Sequence, residues 1–395
     1  MKTCDVIGIS DSRQLWLPPE VTDAIRNGKV FSGGKRHHEI VASVLPAHAE
    51  WIDITVPLDK VFEQYECYDH IVIFASGDPL FFGFANTVKR ACKGITMRVF
   101  PSFHSLQLLA HRMCTAYHDM HVVSLTGRDW QKLDEALING ENMIGVLTDR
   151  TKTPHVIHQR MTDYGYSNYH MTVGENLGHE EKERVGSYDK HTIYDHPNCI
   201  ILQKTTARIR PFGVPDSDFT LLDGRQKMIT KMPIRLLTLQ ALDLPKRHVF
   251  WDIGFCTGSV SIEARLQFPH LHIEAFDIRP ECQAIIHENA RRFGAPGINV
   301  HMGDFLETDI TALPRPDAVF IGGHGGELKD IMNKVLTVLT DDGIIVFNSV
   351  VAPKVTVVSH QLWNEACQSL GLQQSPPLHI QLNDNHPITI LKCKR

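Results

Sequence analysis

The sequence predicts an α/β protein with two domains, each built on a mostly parallel sheet. Short β-rich runs alternate with amphipathic helical stretches along the chain, as in repeated βα units. The 395 residues exceed the roughly 250 to 300 that one hydrophobic core usually supports. Two prolines, a glycine and mixed charges interrupt the alternation at residues 206–218. We therefore expect domains at 1–205 and 219–395, joined by this linker.

Composition and charge disfavour several classes of protein. Charged residues make up 22% of the chain, as in ordinary globular proteins, and no segment has the roughly 18 uninterrupted apolar residues of a membrane span. The first residues lead directly into a strand pattern without an apolar signal region, so we expect a cytoplasmic protein. The net charge of -5 disfavours a nucleic-acid backbone as the main partner and favours a small or anionic organic substrate.

Neither the cysteines nor the histidines are spaced for a metal site. The nine cysteines never form Cys-x-x-Cys, and we interpret them as buried reduced thiols. The 23 histidines include the pairs His37-His38 and His155/His158, but no His-Glu-x-x-His motif. We interpret those pairs as surface or capping groups and predict no bound metal.

Six runs in the first half are typical of strands, and three runs between them are typical of helices. The strand candidates are DVIGIS, HIVIFAS, ITMRVF, HVVSL, MIGVL and CIILQ. The helix candidates are PLDKVFEQY, NTVKRAC and SLQLLAHRM. Two strands end in loops that open helices, at 76–79 and 100–105. We interpret Asp78 as an N-cap and Pro79 as the first helical residue, and expect the two loops to form a cleft lined with N–H donors.

One helix and five strands are predicted after the linker. ITKMPIRLLTLQALDL is typical of a helix with Pro233 in its first turn. The strand candidates that follow are HVFWDIG, HIEAFD, INVHMG, AVFIGG and GIIVFNSV. In a doubly wound sheet, ligands bind at the carboxyl ends of the strands, where the strand order reverses. The first such end lies in WDIGFCTGSVSIEA, residues 251–264, which is typical of a strand, a glycine turn and a helix.

Glycines and carboxylates at these strand ends predict a nucleoside cofactor. Gly254 and Gly258 allow a tight turn, after which the free N–H groups of the helix point at the ligand. Asp277 ends the next strand, where a carboxylate can accept both ribose hydroxyls. We expect Asp304 beside the adenine edge and Asp252 near the cofactor's ammonium end. The glycines alone would also suit an ordinary strand–helix turn, so the prediction depends on the ordered set of five residues.

The spacing of the glycines separates two kinds of cofactor. A dinucleotide fingerprint has Gly-x-Gly-x-x-Gly, whereas Cys256 and Ser259 replace its second and third glycines here. The turn is therefore poorly shaped for a pyrophosphate. S-adenosylmethionine, a nucleoside cofactor without phosphates, suits it better.

Four glycines surround His324 after the fourth strand of the second half. This run, residues 322–326, would let the backbone approach a broad, flat substrate. His324 could hydrogen-bond a carboxylate or move a proton, and a flexible loop with an incidental histidine is the equal alternative. The Asn- or Asp-Pro-Pro-aromatic sequence of methyltransferases that act on exocyclic amines is absent from this position, which disfavours a nucleic-acid methyltransferase.

Several longer motifs resemble one family along nearly the whole chain. In the first half, GGKRHHE, ASGDPLFFG, PSFHSLQL, VVSLTGRD and VLTDRTKTP resemble the tetrapyrrole methylase that acts on carbon 5 in corrin synthesis. In the second half, QKMITK, WDIGFCTGSVSIEA, ENARRFG, MGDF, DAVFIGGHGG and VFNSV resemble the enzyme that methylates carbon 15 and removes a carboxyl group. Their order resembles that in the fused precorrin-6Y C(5,15)-methyltransferase (decarboxylating) family of cobalamin biosynthesis.

The resemblance implies a tetrapyrrole methylase fold of two α/β subdomains, a Rossmann-like methyltransferase fold after it, and an S-adenosylmethionine site in each. The implied cofactor residues of the first half are Gly8, Ser76, Gly77, Asp78, His104, Ser105, Leu147 and Thr148. Those of the second half are Thr230, Gly254, Phe255, Cys256, Thr257, Gly258, Asp277 and Phe305, beside Asp304 from the strand pattern. The chain departs from the family at Ser10 and Ser12, where glycines are usual, and at Cys256 and His324.

Basic side chains are expected to hold the acetates and propionates of such a macrocycle. The candidate substrate-binding residues are Lys35, Arg36, Lys227, Arg235, Gly323 and Gly325, and the candidate catalytic residues are His324 and Lys231. Lys35 and Arg36 fit an ordinary solvated charge run equally well. Two other functions stay open, a nucleotide-dependent oxidoreductase and a tetrapyrrole carrier with one active methyltransferase domain. We also expect a homo-oligomer.

Overall fold

A computed structural model describes residues 1–225, 228–350, 356–383 and 387–395. The chain forms two compact units. The first contains Met1–Arg128, Asn142–His158 and Tyr169–Thr205, and the second contains Asp129–Glu141, Gln159–Asn168 and Thr206–Arg395. Within the described part of the chain, no helix is long and apolar enough to cross a membrane.

The first sheet of the first unit is parallel throughout. Its strands are β1 (Thr3–Ile9), β2 (Val30–Gly33), β3 (Glu50–Asp53), β4 (His70–Ser76) and β5 (Thr96–Phe100), in the order β3-β2-β4-β1-β5. The helices between them are α1 (Pro19–Asn27), α2 (Lys35–Val41), α3 (Asp59–Glu66) and α4 (Phe84–Ala91). Alternate residues of β4 enter two hydrophobic clusters, Ile71 and Ile73 in one and Val72 and Phe74 in the other. Burial of both faces explains why this strand is a continuous apolar run.

The second sheet of the first unit is mixed. Helix α5 (Ser105–Arg112) precedes β6 (His121–Ser124), β7 (Met143–Leu147), β8 (Tyr169–Glu175), β9 (Arg184–Ser187) and β10 (Asn198–Lys204), which lie in the order β6-β7-β10-β8-β9. Only β6 and β7 are parallel neighbours. The prediction of a mostly parallel sheet is therefore wrong here, because no crossover helix separates the last three strands. Helix α6 (Gln131–Asn139) and the end of α7 (Pro154–Asp163) belong to the second unit.

The second unit contains a doubly wound sheet with an antiparallel edge. Its elements are α8 (Met232–Ala241), β11 (Val249–Ile253), α9 (Ser259–Gln267), β12 (His272–Asp277), α10 (Glu281–Phe293), β13 (Ile298–Met302), β14 (Ala318–Ile321), α11 (Leu328–Leu336), β15 (Ile344–Val350), α12 (Thr356–Leu370), β16 (Gln373–Gln374), β17 (Leu378–Ile380) and β18 (Ile388–Lys394). The strand order is β13-β12-β11-β14-β15-β18-β16, with β17 beside β18. Strands β11 to β15 pair in parallel and β18 is antiparallel. The five predicted strands and the helix with Pro233 in its first turn are confirmed.

Residues 206–218 are bonded into the second unit. The backbone N–H groups of Gly213 and Val214 donate to the Glu263 carboxylate at 3.2 and 2.9 Å. The Arg235 guanidinium donates to the same carboxylate at 3.2 Å and to the Val214 carbonyl. Glu263 and Arg235 are both fully buried, so this network fixes the segment against helices α8 and α9.

A second buried ionic cluster joins α6 and α7 to α9 within the same unit. Asp134 accepts two hydrogen bonds from the Arg160 guanidinium, at 2.8 and 2.6 Å. The Nη2 atom of Arg265 lies 3.8 Å from the same carboxylate. Asp134 and Arg265 have 1% side-chain exposure, so either charge would be costly without the other.

Candidate active sites

A cavity of about 620 Å³ lies in the first unit at the carboxyl ends of β1 and β4. The loop after β1 supplies Ser10 and Asp11, the last residue of β4 is Ser76, and the loop after it supplies Gly77. Four further residues of the predicted cofactor set line the same cavity, namely His104, Ser105, Leu147 and Thr148. The two loops that the sequence predicted to form a cleft, at 76–79 and 100–105, therefore both contribute residues to this cavity.

Gly8 lies outside the lining of this cavity and packs against the backbone of the loops that form it. A Cβ atom on Gly8 would lie 2.0 Å from the Gly77 carbonyl oxygen and 2.8 Å from the Ser102 nitrogen. Gly77 has φ +60, and a Cβ there would lie 2.8 Å from the Cα of His104. Both positions require glycine because three backbone segments meet there. Gly8 therefore shapes the cavity without lining it.

Asp78 does not cap a helix. Its Oδ1 accepts a hydrogen bond from the Leu80 backbone at 2.8 Å, which closes a local turn, and α4 begins only at Phe84. Phe82 lies between them with φ +53, in the left-handed region that ends regular helix. The predicted N-cap at Asp78 and helical start at Pro79 are therefore wrong.

His104 is the residue that caps a helix at this cavity. Its Nδ1 accepts the Gln107 N–H at 3.3 Å, and its ring stacks on Phe81 with 3.7 Å between ring centroids. Burial lowers the pKa of His104 to about 4, so the ring is neutral at pH 7. With Nδ1 used as an acceptor, the single ring proton is on Nε2.

A polar cluster forms another wall of the first cavity. Arg36 donates to the Ser76 hydroxyl at 3.0 Å, and the His37 Nε2 lies 2.9 Å from the same oxygen. The Asp11 carboxylate lies 3.5 Å from the Arg36 Nε atom. The interpretation of His37 as a surface or capping group holds for capping, since its Nδ1 accepts the N–H of Gly34, the N-cap residue of α2. His37 also lines the cavity, whereas His38 is exposed. Lys35 does not line it.

Aromatic and basic side chains that sequence reasoning missed also line this cavity. Phe82 and Phe103 keep 47% and 55% of their surface exposed, a large apolar area beside a cleft. The Arg128 guanidinium carbon lies 5.1 Å from the centroid of the Phe82 ring. Arg128 belongs to the VVSLTGRD motif, which was the available signal. Ser10 is in the wall, and Ser12 instead bonds Glu180 at 2.6 Å.

A second cavity, of about 320 Å³, lies in the second unit at the carboxyl ends of β11, β12, β13 and β14. Seven residues of the predicted sets line it, namely Gly254, Asp277, Asp304, Phe305, Gly323, His324 and Gly325. The strand order reverses between β11 and β14, which is where a doubly wound sheet binds its ligand.

The glycine turn after β11 supports this second cavity. Gly254 has φ +80, and a Cβ there would lie 2.6 Å from the Gly323 nitrogen. Gly258 has φ +73, and its Cβ would lie 2.3 Å from the Ile286 side chain. Cys256 adopts φ 52 although it is not glycine, and its N–H donates to Asp277 at 2.7 Å. Phe255, Cys256, Thr257 and Gly258 form the turn and do not line the cavity.

The Asp277 carboxylate already accepts four hydrogen bonds from other groups of the chain. Its Oδ1 accepts from the Arg279 N–H at 3.0 Å and from Arg279 Nε at 2.8 Å. Its Oδ2 accepts from Cys256 N at 2.7 Å and from Arg279 Nη2 at 2.6 Å. These four bonds fill the lone-pair sites of the carboxylate, so a ribose there must displace the Arg279 side chain.

Asp304 and Phe305 lie in a loop whose backbone carbonyls are hydrogen-bonded by Lys334. The Lys334 ammonium donates to the carbonyls of Phe305, Leu306 and Thr308 at 2.8, 2.6 and 2.6 Å. Asp304 accepts from the Leu306 N–H at 2.8 Å, and Phe305 is buried at 6% exposure. The loop therefore presents its carboxylate and ring to the cavity from a fixed backbone.

Asp252 lies beneath the turn, outside the cavity lining. Its Oδ2 accepts from Ser261 N and Oγ at 3.1 and 2.5 Å, while Oδ1 has no hydrogen-bond partner among the described residues. Burial raises the pKa of Asp252 to about 7. The carboxyl group is thus partly protonated at neutral pH.

His324 is in the wall of the second cavity, where its Nδ1 accepts the Gly326 N–H at 3.0 Å. Burial lowers the pKa of His324, so the ring is neutral at pH 7 and its proton is on Nε2. Neither Thr230 nor Lys231 lines the cavity, and Lys231 lies 3.8 Å from Asp216. Arg235 is fully buried against Glu263, which does not match a role in holding substrate. Lys227 lies outside the described residues.

Two cavities, one in each unit and each beside close glycine contacts, give the chain two candidate ligand sites. A family model described as "Precorrin methyltransferase domain" matches residues 223–376. Precorrin-6Y C(5,15)-methyltransferase [decarboxylating] of Sinorhizobium sp is 31% identical over 354 residues, which cover 87% of this chain and 84% of that protein. The chain therefore belongs to the precorrin-6Y C(5,15)-methyltransferase (decarboxylating) family, as its motifs predicted.

Two further relatives each match part of the chain. Cobalt-precorrin-6B C(15)-methyltransferase (decarboxylating) of Salmonella typhi is 31% identical over 185 residues, 45% of this chain and 95% of that protein. The solved precorrin-6y C5,15-methyltransferase structure from Geobacter metallireducens is 29% identical, covers 47% of this chain and 98% of that chain, and has a TM-score of 0.41. The Sinorhizobium and Salmonella proteins are both named as methyltransferases, which disfavours the oxidoreductase alternative.

Proposed function

We propose that the chain methylates carbons 5 and 15 of precorrin-6Y, or of its cobalt form, and removes the carboxyl group of a ring acetate. Residues 1–205 would methylate carbon 5, and residues 219–395 would methylate carbon 15 and release carbon dioxide. The observation that carries this division is the presence of one cavity within each unit. The similarity to the fused relative over 87% of the chain supports it.

We propose an S-adenosylmethionine site in each cavity, and the residues present fit that cofactor. In the first unit, the close contacts of Gly8 and Gly77 open a backbone cradle, and the neutral His104 offers an N–H donor. In the second unit, Gly254 brings two loops together and Asp304 presents an acceptor to the cavity. When bound, the cofactor supplies an electrophilic methyl group.

The chain's own contribution is positioning, because the ring carbons of a reduced tetrapyrrole are themselves nucleophiles. Fixing two reactants in line can supply about 7 to 11 kcal/mol of a barrier without any covalent residue. In the first cavity, Phe82 and Phe103 offer apolar surface to a flat ring, and Arg36 and Arg128 offer donors to its carboxylates.

In the second cavity, we propose that Arg279 and His324 face the substrate. Arg279 becomes available when a ribose takes its place on Asp277, so cofactor binding would release a cation beside the substrate. His324 presents its Nε2–H from the glycine-rich loop and can donate to a ring carboxylate without a change of charge. Decarboxylation then needs the electron-poor methylated macrocycle as its electron sink.

Incubation of the full chain with the corrin precursor and a labelled methyl donor tests this proposal. We expect two methyl groups transferred and one carbon dioxide released for each macrocycle. The Asp277→Ala variant should lose carbon-15 methylation and carbon dioxide release and keep carbon-5 methylation. The matched control, Asp309→Ala, changes an exposed aspartate that bonds only Thr311 among the described residues, and should keep both. Equal loss of both activities in Asp277→Ala would contradict the division.

A further inference from the structure

The Ser76 hydroxyl at the end of β4 receives hydrogen bonds from two side chains. Arg36 Nη2 lies 3.0 Å from the Ser76 Oγ atom, and a guanidinium can only donate. His37 Nε2 lies 2.9 Å from the same Oγ. All three residues line the first cavity.

The proton of His37 is on the nitrogen that faces Ser76. The Nδ1 atom of His37 accepts the Gly34 N–H at 3.2 Å and therefore carries no proton. Burial, with a contribution from Arg36, lowers the pKa of His37 to about 4, so the ring is neutral at pH 7. A neutral imidazole has one N–H, and here it is Nε2–H, which donates to Ser76.

Ser76 is therefore forced to be a donor to a third group. A hydroxyl has two acceptor lone pairs and one proton, and Arg36 and His37 occupy both lone pairs. No group among the described residues accepts a hydrogen bond from the Ser76 hydroxyl. The wall of the cavity thus carries an O–H donor and the N–H donors of Arg36, whose Nε lies 3.5 Å from the Asp11 carboxylate.

We propose that the Ser76 hydroxyl and the Arg36 guanidinium together bind a carboxylate of a ligand in the first cavity, and that His37 is the positioning residue that directs this hydroxyl. An ionised carboxylate only accepts, so it matches the donors of Ser76 and Arg36, and it would share the Arg36 guanidinium with the Asp11 carboxylate. The inference rests on the proposed function, in which the cofactor's amino-acid end and the macrocycle's side chains both carry carboxylates. The experiment distinguishes these two sources.

Binding titrations on the full chain test the carboxylate directly and need no turnover. The probes are S-adenosylhomocysteine against methylthioadenosine, which lacks the amino-acid end, and uroporphyrin, a tetrapyrrole polycarboxylate, against its methyl ester. We expect Ser76→Ala to weaken the binding of one of the two acids, S-adenosylhomocysteine or uroporphyrin, by about tenfold to a hundredfold, as for the loss of other hydrogen bonds to charged groups. The matching probe without the carboxylate should change by less than about twofold, and Ser76→Thr should restore affinity. The affected acid identifies the source.

The role of His37 is tested by a double-mutant cycle. His37→Gln should weaken the same acid by about threefold to tenfold and have no further effect in a Ser76→Ala background, because it acts through that hydroxyl. His38→Gln, on the exposed neighbouring histidine, is the matched control. Unchanged affinity for both acids in Ser76→Ala, or equal losses for an acid and its carboxylate-free partner, would overturn the inference. Additive effects of Ser76→Ala and His37→Gln would overturn the positioning role. Failure of methyl transfer with these binding results intact would instead contradict the proposed function.

Discussion

Replacing Gly254 with alanine should damage the second cavity specifically. The new Cβ would lie 2.6 Å from the Gly323 nitrogen and 3.0 Å from its Cα and carbonyl oxygen. These are backbone atoms, so no side-chain rotation can relieve the overlap. Gly254 and Gly323 both line the cavity, and any relaxation therefore moves one of its walls.

Two costs add up in this variant. Alanine in the left-handed region costs about 1 to 2 kcal/mol, which applies because Gly254 has φ +80. Shifting the backbone around an added methyl costs about 1 to 3 kcal/mol, as in other overpacked sites. We expect the share of this cost that displaces the cavity wall to weaken the binding of S-adenosylhomocysteine to the second site by about tenfold to a hundredfold, because each 1.4 kcal/mol changes the affinity tenfold.

The matched control is Gly371→Ala. Gly371 has φ +69, and its Cβ would meet no atom of the described residues within 4 Å. The two variants therefore share the left-handed strain and differ in the overlap. Calorimetric titration with S-adenosylhomocysteine, together with carbon dioxide release, measures the difference. Second-site affinity in Gly254→Ala within about twofold of that in Gly371→Ala would refute the reasoning.

Three other changes have defined outcomes. Gly8→Ala puts a methyl group 2.0 Å from a carbonyl oxygen of the neighbouring loop, so carbon-5 methylation should be lost while carbon dioxide release continues; loss of both would contradict this. Asp134→Ala leaves Arg160 and Arg265 without their carboxylate, so denaturant unfolding should show a free energy of unfolding lower by about 3 to 5 kcal/mol, and a decrease of less than about 1 kcal/mol would contradict this. The folded pKa of Asp252, raised by burial to about 7, makes the native state bind the extra proton, so this group's contribution to stability is lost as pH rises toward 7. Asp252→Asn mimics the neutral form, so its free energy of unfolding should not fall with pH in this way. Relative to the wild type, the variant's free energy of unfolding should therefore rise by about 2 to 3 kcal/mol between pH 5 and pH 8, and a difference that stays constant with pH would contradict this.

Four of the five predicted strands of the second unit, β11, β12, β14 and β15, were predictable because they are buried on both faces. Trp251 and Ile253 of β11 enter one hydrophobic cluster and Phe250 enters another, which produces a continuous apolar run. Strands β16, β17 and β18 of the same sheet were not predicted. Strand β9 could not be predicted, since all four of its residues are exposed and nothing in their hydrophobicity marks a strand. Strand β2, VFSG, is fully buried but too short to show a period.

The candidate sites were predictable where a residue lies at the carboxyl end of a strand or within three residues of it. Asp277, Asp304 and His324 lie in one cavity because the carboxyl ends of parallel strands meet at one edge of the sheet. The direction of a side chain on a helix depends on tertiary packing, and Arg235 therefore proved to be buried. The bonds between Arg279 and Asp277 likewise depend on rotamers that no spacing reveals.

The number of cofactor sites tests the central claim most directly. Calorimetric titration of the full chain with S-adenosylhomocysteine should give two bound molecules per chain. Gly8→Ala should leave only the second site at wild-type affinity. Gly254→Ala should leave only the first site at wild-type affinity and lower the affinity of the second by about tenfold to a hundredfold. A single site in the wild-type chain would contradict the account and favour a first unit that only carries the tetrapyrrole.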